Sequence, residues 1–280
     1  MARLFVESLT TIDCAVLDPL RGLAGNSLVV DVELGGALDD QSMVLDFRDV
    51  KQRLKRAIDD AVDHRLLVPR RLASVGLHLT GKRCALAFEA AAGAYEYLAP
   101  AVAVAALDTA RITPTVLVQF LLPRVASVLP RSVDDVVLKL RTANPRGAVY
   151  HYTHGLQKHG GHCQRLGHGH RSRVCIHVDG RRDAVLEREW AAVWDGVHLG
   201  TRQDLLECHA GQLRFGYDSG EGRYELAVPE ARCRLIDGPS TVERLAEHIA
   251  QTLAQQHRGQ CIEVRAYEGT GKGGLASARI

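Results

Sequence analysis

The chain has 280 residues, 46% hydrophobic and 24% charged, with a formal net charge of +2. That balance fits one large or two modest globular domains. It gives nucleic acid no concentrated positive surface, and aromatics at 5% weaken base stacking too. No apolar run reaches the ~20 residues that span a bilayer, and MARLFVESLTTIDCAVLDPL lacks the charged start and apolar core of a signal peptide. Seven cysteines with no CxxC pair imply reduced thiols, hence a cytoplasmic setting.

In chain order, SLVVDVELGG (27–36) predicts a strand by its partial alternation. Met43–Leu45 reads as a short extended segment. From Asp49, apolar residues at Val50, Leu54, Ala57, Ile58 and Val62 form one helical stripe, with the charges mostly off it as a solvated face. SVGLHLT and KRCALAFEA predict two strands around Gly81, followed by an Ala-rich segment read as helical. A helix starts at Pro114, with Pro123 predicting a kink or an early end. DDVVLKLRTA predicts a strand.

GAVYHYTHGL opens the second half as a strand. SRVCIHVDG alternates Val174, Ile176 and Val178 against Arg173, Cys175 and His177. QLRFGYDSGEGRYELAV predicts a hairpin turning at 218–222. PSTVERLAEHIAQTLAQQH predicts a helix capped by Ser240 or Thr241, and CIEVRAYEG a closing strand. GTGKGG is not a phosphate loop, because no helix follows it. Both halves place a Pro-started helix before a final strand, a weak internal repeat at about half the chain length.

Seven of the thirteen histidines lie between His151 and His177. On a strand, residues i and i+2 face the same side, so His168 and His170 converge on one point. His154, from a strand pairing antiparallel, offers a third imidazole. Three neutral histidines leave a zinc position open, the pattern of a catalytic site. Cys163, beside a dication, would have its thiol activated as a base or nucleophile.

His154, Cys163, His168, Gly169 and His170, the helix start Pro239–Glu243, the closing Glu268, and SMVLDFRDVKQRLKRAIDDAVDHRLL with Asp63 and His64 together resemble the 6-pyruvoyl-tetrahydropterin synthase and 6-carboxytetrahydropterin synthase family. The resemblance implies an α+β fold of two degenerate tandem tunnelling-fold repeats, each an antiparallel sheet with helices on one face. Residues 1–145 would form a repeat without zinc ligands, AGNSL standing where the family has HGHNY and no histidine upstream at 11–13. Residues 146–280 would form the zinc-binding repeat. Arg141 would stand where the first repeat's closing Glu should be, and WDGVHL is no match for the family's Leu-Asp-His.

The resemblance further implies a zinc-dependent lyase on 7,8-dihydroneopterin triphosphate, with Zn2+ on His154, His168 and His170. Cys163, Asp63 and His64 would transfer protons, and Glu268 would anchor the pterin. Queuosine-type chemistry is preferred, since its members share the Cys-containing motif. The alternatives are a related zinc enzyme on another pterin-like heterocycle and a non-catalytic zinc-containing binding or assembly protein. The expected partners are a small pterin substrate and further copies of the chain in a homo-oligomer, with no nucleic acid and no membrane. Cys-x4-His is one residue longer than the family's spacing, so Cys163 reaches the site only if Gly167 sits in a bulge or loop. Residues 70–110 and 181–235 stand outside the family pattern.

Overall fold

The computed structural model describes residues 2–143 and 147–280. The expected boundary between 145 and 146 falls outside them. The first half runs β1 (Ala2–Asp18), β2 (Gly22–Gly36), α1 (Phe47–Val62), β3 (Leu66–Pro69), β4 (Val75–Thr80), β5 (Arg83–Ala90), β6 (Gly93–Pro100), β7 (Val104–Leu107), α2 (Pro114–Ala126) and β8 (Val133–Arg141). The second runs β9 (Ala148–His154), β10 (His168–Val178), β11 (Arg181–Arg182), α3 (Ala184–Trp194), β12 (Val197–Thr201), β13 (Leu205–His209), β14 (Gln212–Ser219), β15 (Gly222–Pro229), β16 (Cys233–Ile236), α4 (Val242–Gln256), β17 (Ile262–Tyr267) and β18 (Gly273–Ala278).

The strands form three sheets. The first is ordered β7-β3-β1-β2-β8 and the second β16-β12-β9-β10-β17-β18. In both, the long hairpin is antiparallel and the short strands after the first helix join in parallel. Helix α1 buries the predicted stripe, Val50, Leu54, Ile58 and Val62, under the first sheet with Leu117 and Leu121 of α2. Full burial of a side chain such as Leu54 stabilises by roughly 1.5–3 kcal/mol. Leu245, Ile249 and Leu253 of α4 and Trp194 of α3 do the same for the second sheet. Pro123 does not end α2, which runs on to Ala126.

The third sheet, β13-β14-β15-β6-β5-β4, joins the two halves. Each half contributes three consecutive antiparallel strands between equivalent strands of its own sheet, and β6 meets β15 antiparallel through Leu98↔Glu225, Tyr97↔Leu226 and Glu96↔Ala227. The inserted strands are 75–100 and 205–229. The rest of 70–110 and 181–235 belongs to the repeats, with α3, β12 and β16 in the places of α1, β3 and β7. The Ala-rich segment is not an α-helix: Tyr95 and Tyr97 of β6 point into the core and pull it into the sheet, and only Ala101–Ala103 makes a 3-10 turn.

Two hydrogen-bond patterns establish the repeat residue by residue. The His64 amide donates to the Asp13 carbonyl at 2.6 Å, and the Gly196 amide to the His151 carbonyl at 2.7 Å. The Asp13 amide donates to the Asp63 carboxylate and the His151 amide to the Asp195 carboxylate, both at 2.9 Å. Asp195 therefore occupies the place of Asp63, and Gly196 that of His64. Both turn residues have positive φ, 52° at His64 and 74° at Gly196, a conformation natural to glycine and uncommon for histidine. WDGVHL is thus the second half's form of the Asp-His turn, with its histidine gone.

Candidate metal and proton-transfer site

His168 pairs with His154 and His170 with Tyr152 across the β9–β10 hairpin, so the alternation of one strand and the register of its partner bring three imidazoles together. All three are at most 1% exposed, and one nitrogen from each lies within 4.8 Å of the others. The outward nitrogens face acceptors. His154 Nδ1 meets the Ser240 carbonyl at 3.1 Å, His168 Nδ1 the Arg165 carbonyl at 2.7 Å, and His170 Nδ1 lies 3.3 Å from Asp13 Oδ1.

The two carbonyls take the Nδ1 protons of His154 and His168, and the Asp13 carboxylate is the nearby acceptor that favours the same tautomer in His170, which leaves each Nε2 as a lone pair. His154 Nε2 and His170 Nε2 are then 3.1 Å apart, two lone pairs face to face, and His168 Nε2 is buried without a partner. A cation at their meeting point satisfies all three. Burial, and then the neighbouring histidine, drives the pKa values of His154 (beside His170) and His168 (beside His154) well below the usual range. They are held neutral, as ligands must be. The residues therefore fit a metal ion with an open position.

Ser240 shows what the site costs locally. Sequence reasoning offers it or Thr241 as the helix cap. Thr241 is the cap and makes no side-chain bond, while the Ser240 hydroxyl turns to the Gly155 carbonyl and His154. The local rule gives way where the ligand needs support.

The first half supplies the rest. Its own positions equivalent to the triad, fixed by the β1–β2 register, are Val16, Ala24 and Asn26. The missing upstream histidine is therefore at Val16, not at 11–13. The same register makes Thr142, not Arg141, the counterpart of Glu268. Asp13 was not legible as a site residue, because nothing in its own strand distinguishes it. Burial pushes its carboxyl up, but His170 opposite, the Ser27 hydroxyl and His64 hold it at about 2.

Helix α1 ends at Val62 with Asp63 as its cap, and the turn after it aims His64 into the site. His64 Nδ1 is 2.7 Å from Asp63 Oδ2. Burial works against the His64 cation, but Asp63 and then Cys163 outweigh it and raise its pKa to about 10. Cys163 sits on a short 3-10 turn, His162–Gln164, rather than on a strand. Gly167 takes φ 85° and its amide donates to the His154 carbonyl at 2.8 Å. The extra residue is absorbed there, and one ligand atom each of Cys163, His64 and His168 lie within 4.8 Å of one another.

Glu268 closes the other side, 14% exposed, with Oε1 4.0 Å from His170 Nε2 and Oε2 3.3 Å from Lys272 Nζ. A Cβ on Gly269 would stand 2.5 Å from Asp13 Oδ1, so only glycine lets this turn lie against Asp13. GTGKGG leads into strand β18. The structure brings together His154, His168, His170, Cys163, Asp63, His64 and Glu268. His162 lies at the edge, its ring 6.4 Å from that of His64, and His159 is exposed.

A family profile described as 6-pyruvoyl tetrahydropterin synthase matches residues 18–110 and 146–276. Solved structures similar to the chain include a catalytic-residue mutant of 6-pyruvoyltetrahydropterin synthase from Plasmodium vivax, at 19% identity and TM-score 0.39. The enzyme from Plasmodium falciparum follows at 16% and 0.38, and another structure of the Plasmodium vivax enzyme at 19% and 0.33. Each alignment covers 50% of this chain and 97% of the other. Comparison with curated protein sequences gives no match.

Proposed function

The chain belongs to the 6-pyruvoyl tetrahydropterin synthase family, and from that premise we propose that it is a zinc-dependent carbon–oxygen lyase acting on 7,8-dihydroneopterin triphosphate. The product is a 6-pyruvoyl-tetrahydropterin, formed by elimination and tautomerisation, or a 6-carboxy-tetrahydropterin, for which water is consumed and the two outer side-chain carbons leave as acetaldehyde. One observation carries this reading: the metal-fitting triad of the second repeat and the Asp63–His64 pair of the first converge on the same thiol, Cys163.

His154, His168 and His170 would hold zinc, which supplies Lewis acidity toward the hydroxyls of the substrate side chain. Cys163, as thiolate, accepts the carbon-bound proton. The electron pair of that C–H bond forms the double bond, and the C–O bond to triphosphate breaks with its electrons on the leaving group. His64 faces Cys163 as an imidazolium, and Asp63 keeps His64 charged and oriented. The Glu268 carboxylate accepts two hydrogen bonds from the pterin's amino and ring N–H groups, exchanging its contact with Lys272 for them. Asp13 orients His170 and disperses the charge of the site.

Seven unpaired cysteines support a cytoplasmic, reducing setting for this activity. The edge strands β8 and β18 support association with further copies of the chain. The test is triphosphate release from 7,8-dihydroneopterin triphosphate. Wild-type protein loaded with zinc is expected to release it, and His168→Ala and His64→Ala each to lose it. Absence of release by the wild type overturns the reading.

A further inference from the structure

The third sheet grips the turn that carries Cys163. Tyr97 of β6 donates to the Leu166 carbonyl at 2.7 Å, and Tyr217 of β14 to the Gln164 carbonyl at 2.8 Å. Between those carbonyls lies Arg165, its side chain 3% exposed. Its guanidinium forks onto Glu221, at the β14–β15 turn, with bonds of 2.8 to 3.2 Å. Glu221 is itself held by the Tyr224 hydroxyl at 2.6 Å and returns its amide to the Gln164 side chain at 3.0 Å.

Arg165 also reaches the other parts of the site. Nη1 donates to the Asp63 carbonyl at 3.2 Å, in the first repeat. Its own carbonyl accepts from the ligand His168. One buried residue, by its side chain and its own carbonyl, therefore ties together the thiol turn, the Asp63–His64 turn and the triad. Locally the 3-10 turn around Cys163 has two i→i+3 bonds of 3.0 and 3.2 Å, a bond of 3.0 Å from the Gln164 side chain to the Gly161 carbonyl, and one of 2.9 Å from the Leu156 amide to the Cys163 carbonyl, and such a short turn is weakly self-supporting. A buried guanidinium needs a carboxylate partner, and the inserted sheet provides it.

We propose that Arg165 and Glu221 are positioning residues, through which the sheet built from both insertions fixes Cys163 against His64 and His168. This rests on the reading of Cys163 and His64 as the proton-transfer pair. It assigns the insertions a role in the reaction: they brace the reactive turn from behind.

The test uses the full-length, zinc-loaded protein and iodoacetamide, with alkylation followed peptide by peptide. Exposed Cys208 on β13 serves as the internal reference. In Glu221→Gln the Cys163 rate is expected to rise by about threefold or more relative to Cys208 as the turn opens locally. Tyr217→Phe is expected to give a smaller rise, and Glu221→Asp to restore most of the wild-type rate. Over the same variants kcat for triphosphate release is expected to fall by about 10- to 100-fold with KM changed by less than about twofold. An unchanged Cys163 rate in both Glu221→Gln and Tyr217→Phe overturns the proposal, whatever turnover does. Wild-type protein that releases no triphosphate overturns the lyase reading alone and leaves the alkylation result to decide the positioning. Should Glu221→Gln fail to fold, Tyr217→Phe, which loses a single hydroxyl, decides it.

Discussion

Gly25 and Gly169 meet back to back where the two hairpins cross: a Cβ on Gly169 would stand 2.5 Å from the Gly25 Cα. The two are equivalent positions of the two repeats, each one residue before the third triad place. A Cβ on Gly25 would meet the Tyr152 carbonyl at 2.0 Å and the His170 amide at 2.6 Å, both backbone. Gly25→Ala is therefore expected to destabilise by about 3 kcal/mol or more, at the upper end for overpacking, and to lower metal content by displacing His170. Urea unfolding and metal analysis on the same preparation check this. A variant as stable and as metal-rich as wild type would show that the contact is not needed.

The site draws on both halves of one chain. Where a site is shared between subunits, two inactive variants restore each other when mixed. Here His64→Ala and His168→Ala chains, mixed after unfolding and refolding together, are expected to regain no triphosphate release. Recovery of about a quarter or more of wild-type activity on random assortment would mean that the working dyad comes from a neighbouring chain.

Metal stoichiometry follows from the asymmetry of the repeats. The second repeat has His154, His168 and His170, and the first has Val16, Ala24 and Asn26, which cannot ligate together. One ion per chain is expected, lost in His170→Ala. Asp13→Asn keeps the triad but replaces the carboxylate that faces His170 Nδ1, so metal affinity is expected to fall about 10- to 100-fold. Titration against a chelator of known affinity measures both.

The Asp63–His64 pair makes a prediction about pH. The folded pKa of His64, about 10, lies above the ordinary value near 6.5. Its protonation therefore contributes stability that is fully present below about pH 6.5 and is lost as pH rises through about 10. Asp63→Asn removes the partner, so its deficit relative to wild type is expected to be large at neutral pH and to shrink toward pH 10. Unfolding free energies of both proteins across that range test the sign. A deficit that stays constant would mean that His64 is not the group Asp63 holds charged.

The helix stripe Val50 to Val62 and the strand alternation around His168 and His170 were legible because each depends only on a local period. Family membership was legible from the same motifs. The inserted strands were harder to read: the Ala-rich segment around residues 91–100 has helix-favouring composition, and only burial of Tyr95 and Tyr97 beneath the third sheet makes it a strand.

The amino-acid sequence by itself determined how the histidines of one strand are spaced and which of them share a face, since side-chain direction along a strand is a property of the chain alone. The tertiary structure decided what those residues meet. Asp13 faces His170 only because two repeats fold back on each other across Gly25 and Gly169, and Arg165 finds Glu221 only because the β14–β15 turn folds over the thiol turn of its own repeat. It also decided that Cys163 turns inward despite the extra residue, because the positive φ of Gly167 and the carbonyls gripped by Tyr97 and Tyr217 fix the turn from a sheet far away in the chain.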